Sequence, residues 1–117
     1  MRFETDVAPV VIKARDATTI GIIVGELVVN ALKHAFNGQP GTIWTRLRSE
    51  SEGVTLIVED DGRGIPSETP HAEGLGATII QQLAGQFGGE PRYERREEGG
   101  TRVIVPMPDL EVSKIGD

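Results

Sequence analysis

The segment Glu26-Leu-Val-Val-Asn30-Ala-Leu-Lys33-His34 lies inside a run, residues 17–36, whose composition predicts one amphipathic helix. Successive residues of an α-helix are rotated by about 100° around its axis. The four numbered polar side chains therefore share one arc about 100° wide. The apolar residues fall on the opposite side of the helix, where they can pack against a core: Ile20, Val24, Leu27, Val28, Ala31 and Ala35.

This helix face combines a carboxylate, an amide, an amine and an imidazole, a set that can hold a divalent cation and a polyphosphate. Asn30 is a candidate magnesium ligand, and Glu26, one turn earlier, is a candidate general base. Lys33 and His34 are candidates for contacts with phosphate oxygens. On helix spacing alone, however, a solvated polar face with ordinary charges is the favoured interpretation.

The rest of the chain alternates predicted strands with one further helix. One or two short strands are predicted within residues 2–13, and four more are predicted at 42–50, 54–60, 91–97 and 101–107. The second helix is predicted for residues 74–87. This order predicts an α/β two-layer sandwich, with a mixed, mostly antiparallel sheet and the helices on one face. Residues 110–117 are expected to form a frayed tail.

Composition limits the function classes. A length of 117 residues predicts a single domain, 1–117. The net charge of −6 argues against a nucleic-acid partner, and the absence of cysteine excludes disulfides and thiolate metal sites. No apolar run approaches the roughly 20 residues of a membrane span. The N-terminus lacks a signal-peptide pattern. We therefore expect a cytoplasmic domain without membrane contact.

Asp60 ends the second of the four later strands and is followed by Asp61-Gly62-Arg-Gly64. A carboxylate at a strand end can accept a hydrogen bond from an exocyclic amine. Glycines allow the positive φ angles with which a backbone approaches a flat ligand closely. A tight acidic turn explains the same residues, because Asp-Gly is a common turn signal. On this segment alone, the turn is the favoured interpretation.

Two further glycine pairs precede regular elements. Gly74-Leu-Gly76 opens the second predicted helix, where free backbone N–H groups and the positive helix end suit an anion. Gly99-Gly100-Thr101 opens the last predicted strand, and either a hairpin or a hydroxyl aimed at a ligand explains it. A Gly-x-Gly-x-x-Gly dinucleotide pattern fails because residue 79 is Ile.

The order of these segments is more specific than any one of them. Glu-x3-Asn on a helix is followed by Asp-x-Gly-x-Gly after a strand, Gly-x-Gly before a helix and Gly-Thr in a late strand. This order resembles the N, G1 and G2 boxes of the ATPase superfamily that joins gyrase, the Hsp90 chaperone, histidine kinases and the mismatch-repair ATPase. Residues 21–36 are most similar to bacterial sensor histidine kinases with a short nucleotide lid.

The resemblance implies the Bergerat-type ATP-binding fold, with ATP and Mg2+ as ligands. In such histidine kinases, the residue matched by Glu26 activates the attacking imidazole of the phosphoacceptor. The residue matched by Asn30 binds Mg2+. The positions that match those near the phosphates are Lys33, His34, Gly74 and Gly76.

For the base of the nucleotide, the resemblance implies a second group of residues. Asp60 matches the carboxylate that binds the adenine amino group, and Gly62 and Gly64 match glycines that shape the adenine pocket. Thr101 matches a threonine that reaches adenine, often through water. Residues 67–73 would form the short lid.

A histidine kinase transfers the γ-phosphoryl group of ATP to a histidine on a helical dimerisation domain. The two histidines here are His34, inside the predicted ATP site, and His71, inside the predicted lid. Neither lies on a helical hairpin. We therefore expect the dimerisation and phosphoacceptor domain of the same kinase as partner, with a response regulator as an indirect one. Two alternatives remain open: an anti-sigma-factor serine kinase of the same fold, and a nucleotide-binding module without catalysis.

Overall fold

The computed structural model describes residues 1–35, 40–51, 53–62 and 74–114. Two α-helices are present in these ranges, α1 (Ala14–Asn30) and α2 (Gly74–Gly85). A π-helical turn, Ala31–Ala35, continues α1. The described strands are β1 (Arg2–Val7), β2 (Val10–Ile12), β3 (Thr42–Glu50), β4 (Gly53–Asp60), β5 (Arg92–Arg95), β6 (Thr101–Met107) and β7 (Val112–Lys114).

Five of the strands form one mixed sheet in the order β1-β3-β4-β6-β5. β1 is parallel to β3, and the other three pairings are antiparallel. β4 is central, with β3 and β6 as its hydrogen-bonded neighbours. The predicted two-layer α/β sandwich with a mixed, mostly antiparallel sheet is confirmed.

One face of the sheet packs against both helices. Side chains alternate between the two faces of a strand, so every second residue of β3, β4 and β6 points towards the helices. Most of these residues are apolar and buried, and they form one core with the apolar sides of α1 and α2: Ile43, Leu47, Val54, Leu56, Val58, Val103, Val105 and Met107. Neither helix within the described ranges has the length and apolar character needed to cross a membrane.

The first helix differs from its prediction in both its start and its end. It begins at Ala14, three residues before the predicted residue 17, and its α-helical part ends at Asn30. From Ala31 the backbone follows a π-helical turn. A π-helix is wider than an α-helix, because its hydrogen bonds connect residue i to i+5. The rotation of about 100° per residue therefore applies to Glu26 and Asn30 but not beyond them.

The C-terminal segment is ordered further than predicted. Leu110 is only 6% exposed, and its N–H donates to the carbonyl of Met107 at 3.2 Å. β7 then pairs antiparallel with β2, so a separate two-stranded sheet joins the two ends of the described chain. The expectation of fraying from residue 110 was therefore wrong up to residue 114. Residues 112–114 are ordered because they pair with β2, a strand that is distant in sequence. Residues 115–117 lie outside the described ranges.

Candidate functional site

Asp60 is the last residue of β4, and its side chain lies on the helix-covered face of the sheet. The residue is only 6% exposed. Its Oδ1 atom accepts hydrogen bonds from the backbone N–H of Gly62 at 3.0 Å and of Thr101 at 3.3 Å. The structure therefore brings together three of the residues predicted for the adenine pocket: Asp60, Gly62 and Thr101.

Burial raises the pKa of the Asp60 carboxyl above its ordinary value of 3.8. The backbone hydrogen bonds from Gly62 and Thr101 and the positive charge of Arg96 oppose this shift, and the negative charge of Asp61 adds slightly to it. The main cause is the loss of water around the carboxylate. A buried carboxylate held by fixed donors is typical of a functional site.

The turn between β5 and β6 lies directly against the end of β4. Gly100 has a φ angle of +97°, and a Cβ atom on it would lie 1.9 Å from the backbone oxygen of Asp60. No side chain fits in that space. The neighbouring Gly99 also has a positive φ, of +102°, but a Cβ there would meet nothing within 4 Å. The close approach to Asp60 therefore depends on Gly100.

The opposite face of the sheet carries a cluster of charges around Glu59, the residue before Asp60. Glu59 is only 4% exposed. Its carboxylate pairs with three guanidinium groups: Arg46 at 3.1 Å, Arg96 at 3.1 Å and Arg102 at 3.2 Å. Burial of this carboxylate is possible because its charge is paired from several sides.

Arg96 connects this charge cluster to the corner around Asp60. Its Nη1 atom donates to the backbone oxygen of Asp60 at 3.0 Å and to that of Gly99 at 3.1 Å. The guanidinium also lies over the ring of Trp44, 4.9 Å from its centre. The side chain is 13% exposed. The Nε atom lies 3.1 Å from Glu59 Oε2, but this ion pair lacks hydrogen-bond geometry.

The residues predicted to face the phosphates and the metal belong to the two helices. Glu26 and Asn30 are half-buried and lie one turn apart near the end of α1. Lys33 is exposed in the π-helical turn, which also contains the backbone of His34. The positions of Gly74 and Gly76 are in the first turn of α2. Three predicted features lie outside the described residues: Gly64, His71 and the lid 67–73.

Sequence reasoning assigned no role to Glu59, Arg96 or Gly100. Glu59 could have been noticed as a second charged residue, beside Asp60, at the end of a mostly apolar strand. Arg96 belongs to the run Arg95-Arg96-Glu97-Glu98, which is indistinguishable from a solvated turn in sequence. Its contact with Asp60 joins residues 36 positions apart, so no local pattern indicates it.

Comparisons with known proteins identify the family of this chain. Residues 15–111 match the family model of histidine kinase-, DNA gyrase B- and HSP90-like ATPases. The chain is 39% identical over 103 residues to blue-light-activated histidine kinase 2 of Erythrobacter litoralis, covering 84% of this chain and 28% of that protein. It is 38% identical over 87 residues to a NarQ homologue, a sensor protein of Haemophilus influenzae, covering 74% of this chain and 15% of that one.

A solved structure supports the same relationship. The histidine kinase domain of the Erythrobacter litoralis EL346 blue-light-activated kinase superposes with a TM-score of 0.78 at 32% identity, covering 92% of this chain and 51% of that one. The chain spans less than a third of either curated relative's length. With a family match over most of its length, the chain belongs to the histidine kinase-, DNA gyrase B- and HSP90-like ATPases, as an ATP-binding domain of the sensor histidine kinase type.

Proposed function

We propose that this domain binds ATP through an adenine contact at Asp60 and donates the γ-phosphoryl group to a histidine on a separate helical dimerisation domain. The single observation that supports the adenine contact most is the fixed carboxylate of Asp60. Two backbone donors bind Oδ1, so Oδ2 would be the atom that accepts from the adenine amino group. Gly62, Gly64 and Thr101 would complete the adenine pocket.

We propose that Mg2+ would bind between Asn30 on α1 and the phosphates of the nucleotide. The described residues contain no cluster of three or more His, Asp or Glu side chains able to hold a metal alone. Magnesium usually retains several waters and binds through one or two protein ligands plus substrate phosphates. Asn30 would supply the protein oxygen. The bound ion would neutralise phosphate charge during transfer.

The phosphates would lie between the end of α1 and the start of α2. Gly74 and Gly76 are in the first turn of α2, where backbone N–H groups without helical partners suit phosphate oxygens. Lys33 and His34 would add positive charge from the π-helical turn. α1 and α2 contact each other, so these two ends belong to one layer of the fold.

In the transfer itself, a nitrogen of the acceptor imidazole forms a bond to the γ-phosphorus, and the bond to the β-phosphate oxygen breaks to release ADP. Glu26 would accept the imidazole proton or orient the ring, because a half-buried carboxylate near the phosphates can act as a base. The phosphoryl group would then pass to a response regulator. We place this domain in the cytoplasm, where ATP is available.

The test has two stages. Calorimetry with ATP and Mg2+ should show binding that the Asp60→Asn variant lacks. Radiolabelled ATP should then transfer its γ-phosphoryl group to the helical acceptor domain of the same kinase, supplied as a separate chain. An acid-labile phosphohistidine supports the proposal. An acid-stable phosphoserine on a partner would indicate the serine kinase instead, and binding without transfer would indicate a regulatory module.

A further inference from the structure

We propose that Arg96 is a positioning residue for adenine recognition, acting from the opposite face of the sheet. Its Nη1 atom joins the backbone oxygens of Asp60 and Gly99. It thereby holds the end of β4 against the turn that leads into Thr101. This inference depends on the proposed contact between Asp60 and the adenine amino group, and it adds a residue that touches neither nucleotide nor metal.

The carbonyl that Arg96 binds helps to set the direction of the Asp60 carboxylate, together with the hydrogen bond that the N–H of Asp61 donates to the Thr42 oxygen at 3.2 Å. Peptide groups are planar, so the orientation of the Asp60 carbonyl also fixes the peptide N–H of Asp61 and the path to Gly62. Gly62 in turn donates to Asp60 Oδ1 at 3.0 Å. A rotation of the Asp60 peptide would therefore move a donor that orients the carboxylate.

The second carbonyl that Arg96 binds, that of Gly99, lies in the turn that positions the other donor, the N–H of Thr101. Gly99 and Gly100 form the turn before β6, and the turn is closed by two hydrogen bonds with the backbone of Arg96. The Arg96 N–H donates to the Gly100 oxygen at 3.0 Å, and the Gly99 N–H donates to the Arg96 oxygen at 3.2 Å. The position of Thr101 N–H, the second donor to Asp60 Oδ1, thus follows from the same residue.

Arg96 is itself held in place by its surroundings. Glu59 and Glu98 pair with its guanidinium at 3.1 and 3.3 Å, and Trp44 stacks against it. A guanidinium places its donors on three nitrogens in one plane, so Nη1 can bind two carbonyls while Nε and Nη2 face carboxylates. The single nitrogen of an ammonium group does not reproduce this arrangement.

Arg46 and Arg102 also pair with Glu59. Neither donates to the backbone of Asp60 in the described part of the chain, so they are matched controls.

The experiment compares ATP with inosine triphosphate, in which a carbonyl oxygen replaces the amino group. The full chain and its R96Q, R102Q and R46Q variants would be titrated with both nucleotides. We expect R96Q to reduce the ratio of ATP to inosine triphosphate affinity about tenfold, the loss of one well-oriented hydrogen bond. The two controls should keep the wild-type ratio, even where their melting temperatures fall.

The outcomes separate this inference from the proposed function. A wild-type ratio near one would overturn the Asp60 contact itself. A high wild-type ratio that R96Q leaves unchanged, or lowers no more than R102Q does, would overturn only the positioning role. Equal loss of affinity for both nucleotides in R96Q would show a purely structural role and would also overturn it.

Two further measurements test the proposal if R96Q does not fold. One uses a second variant, and the other uses the unaltered protein. R96K keeps a cation beside Glu59, but its nitrogen ends one bond short of the position of Nη1, the atom that binds both carbonyls. Its ratio should therefore fall as in R96Q, and a wild-type ratio would contradict the proposal. In the unaltered chain, ATP should shift the NMR signals of the Arg96 guanidinium more than inosine triphosphate does. Identical shifts with both nucleotides would contradict the proposal.

Discussion

The Oδ1 atom of Asp60 accepts a hydrogen bond from the backbone N–H of Thr101, 41 residues later in the chain, at 3.3 Å. Gly62 donates to the same atom. Because both donors belong to the main chain, the direction of the carboxylate depends on how β4 and β6 lie together. These strands are hydrogen-bonded neighbours at the centre of the sheet. The direction of the candidate adenine contact is therefore set by main-chain atoms.

Substitution of Asp60 by Asn should weaken ATP binding without lowering the stability of the fold. The amide oxygen can still accept from Gly62 and Thr101, whereas a buried negative charge disappears. We expect ATP affinity to fall at least tenfold, because a hydrogen bond to a charged acceptor is lost, and thermal stability at neutral pH to stay equal or rise. Calorimetry and thermal unfolding measure both. Asp61→Asn, at an exposed residue whose carboxylate accepts from Thr42 N–H at 2.7 Å, is the control and should bind ATP normally.

We expect the ionisation of Asp60 to lower the free energy of unfolding as the pH rises through the raised pKa of this carboxyl group. Burial raises the pKa of Asp60 above 3.8 in the folded state, so ionisation there costs folding free energy. This cost is fully present above the folded pKa and vanishes below the unfolded one. Denaturant unfolding of the wild type and of Asp60→Asn should therefore differ most at neutral pH and converge as the pH falls through the raised pKa. A difference that grows towards acid pH would refute the assignment.

Replacement of Asn30 by Ala should remove the contribution of the metal to nucleotide affinity. The variant loses an oxygen ligand while the contacts around Asp60 remain, so weak ATP binding without Mg2+ should persist. Titrations with and without Mg2+ measure this difference. Asn30→Asp retains an oxygen ligand at the same place and should keep a response to Mg2+. An undiminished Mg2+ effect in Asn30→Ala would rule out this ligand.

Glu26→Gln should bind ATP with unchanged affinity but transfer its phosphoryl group slowly. A general base typically contributes about 10²–10⁴-fold to a rate. Transfer to the separately supplied acceptor domain, measured with labelled ATP at saturation, should fall within that range. Asp16→Asn, which removes a carboxylate near the start of the same helix, is the control. Equal transfer by Glu26→Gln and the wild type would exclude the proposed base.

A methyl group on Gly100 should disrupt the candidate site, whereas one on Gly99 should not. Both residues have positive φ angles, so each alanine variant carries backbone strain of about 1–3 kcal/mol. Only at Gly100 would the new Cβ also collide with the Asp60 carbonyl, at 1.9 Å. We expect Gly100→Ala to lose more unfolding free energy than Gly99→Ala and to lose ATP binding as well. Similar stability and binding in the two variants would contradict this.

Much of the fold follows from local patterns. β3 and β6 have the predicted bounds, and β4 begins one residue earlier than predicted, because alternating apolar residues bounded by breakers leave few other conformations. The pairing of β2 with β7 could not be predicted, since it joins short segments about a hundred residues apart. The π-helical turn was missed because tertiary packing, not the repeat of apolar residues, decides where an α-helix widens.

The candidate site was predictable only in part. The position of Asp60 at a strand end followed from the sequence, but the surroundings of its carboxylate did not. In the structure, burial has the largest effect on the pKa of Asp60, and Asp61 has only a minor effect. The acidic run Glu59-Asp60-Asp61 divides into three environments: a cluster of arginines, a buried corner and an exposed contact with Thr42. Side chains of successive residues point to opposite faces of a strand, which places these carboxylates in different environments. The environments themselves depend on the neighbouring strands and cannot be predicted from the acidic run alone.

The contact between Gly100 and the Asp60 carbonyl has a consequence for how this site can change. It joins main chain to main chain, and substitution replaces side chains only. No compensating change at position 60 can therefore make room for a side chain at position 100. Any altered base preference, natural or engineered, has to enter through the surrounding side chains, while position 100 stays glycine.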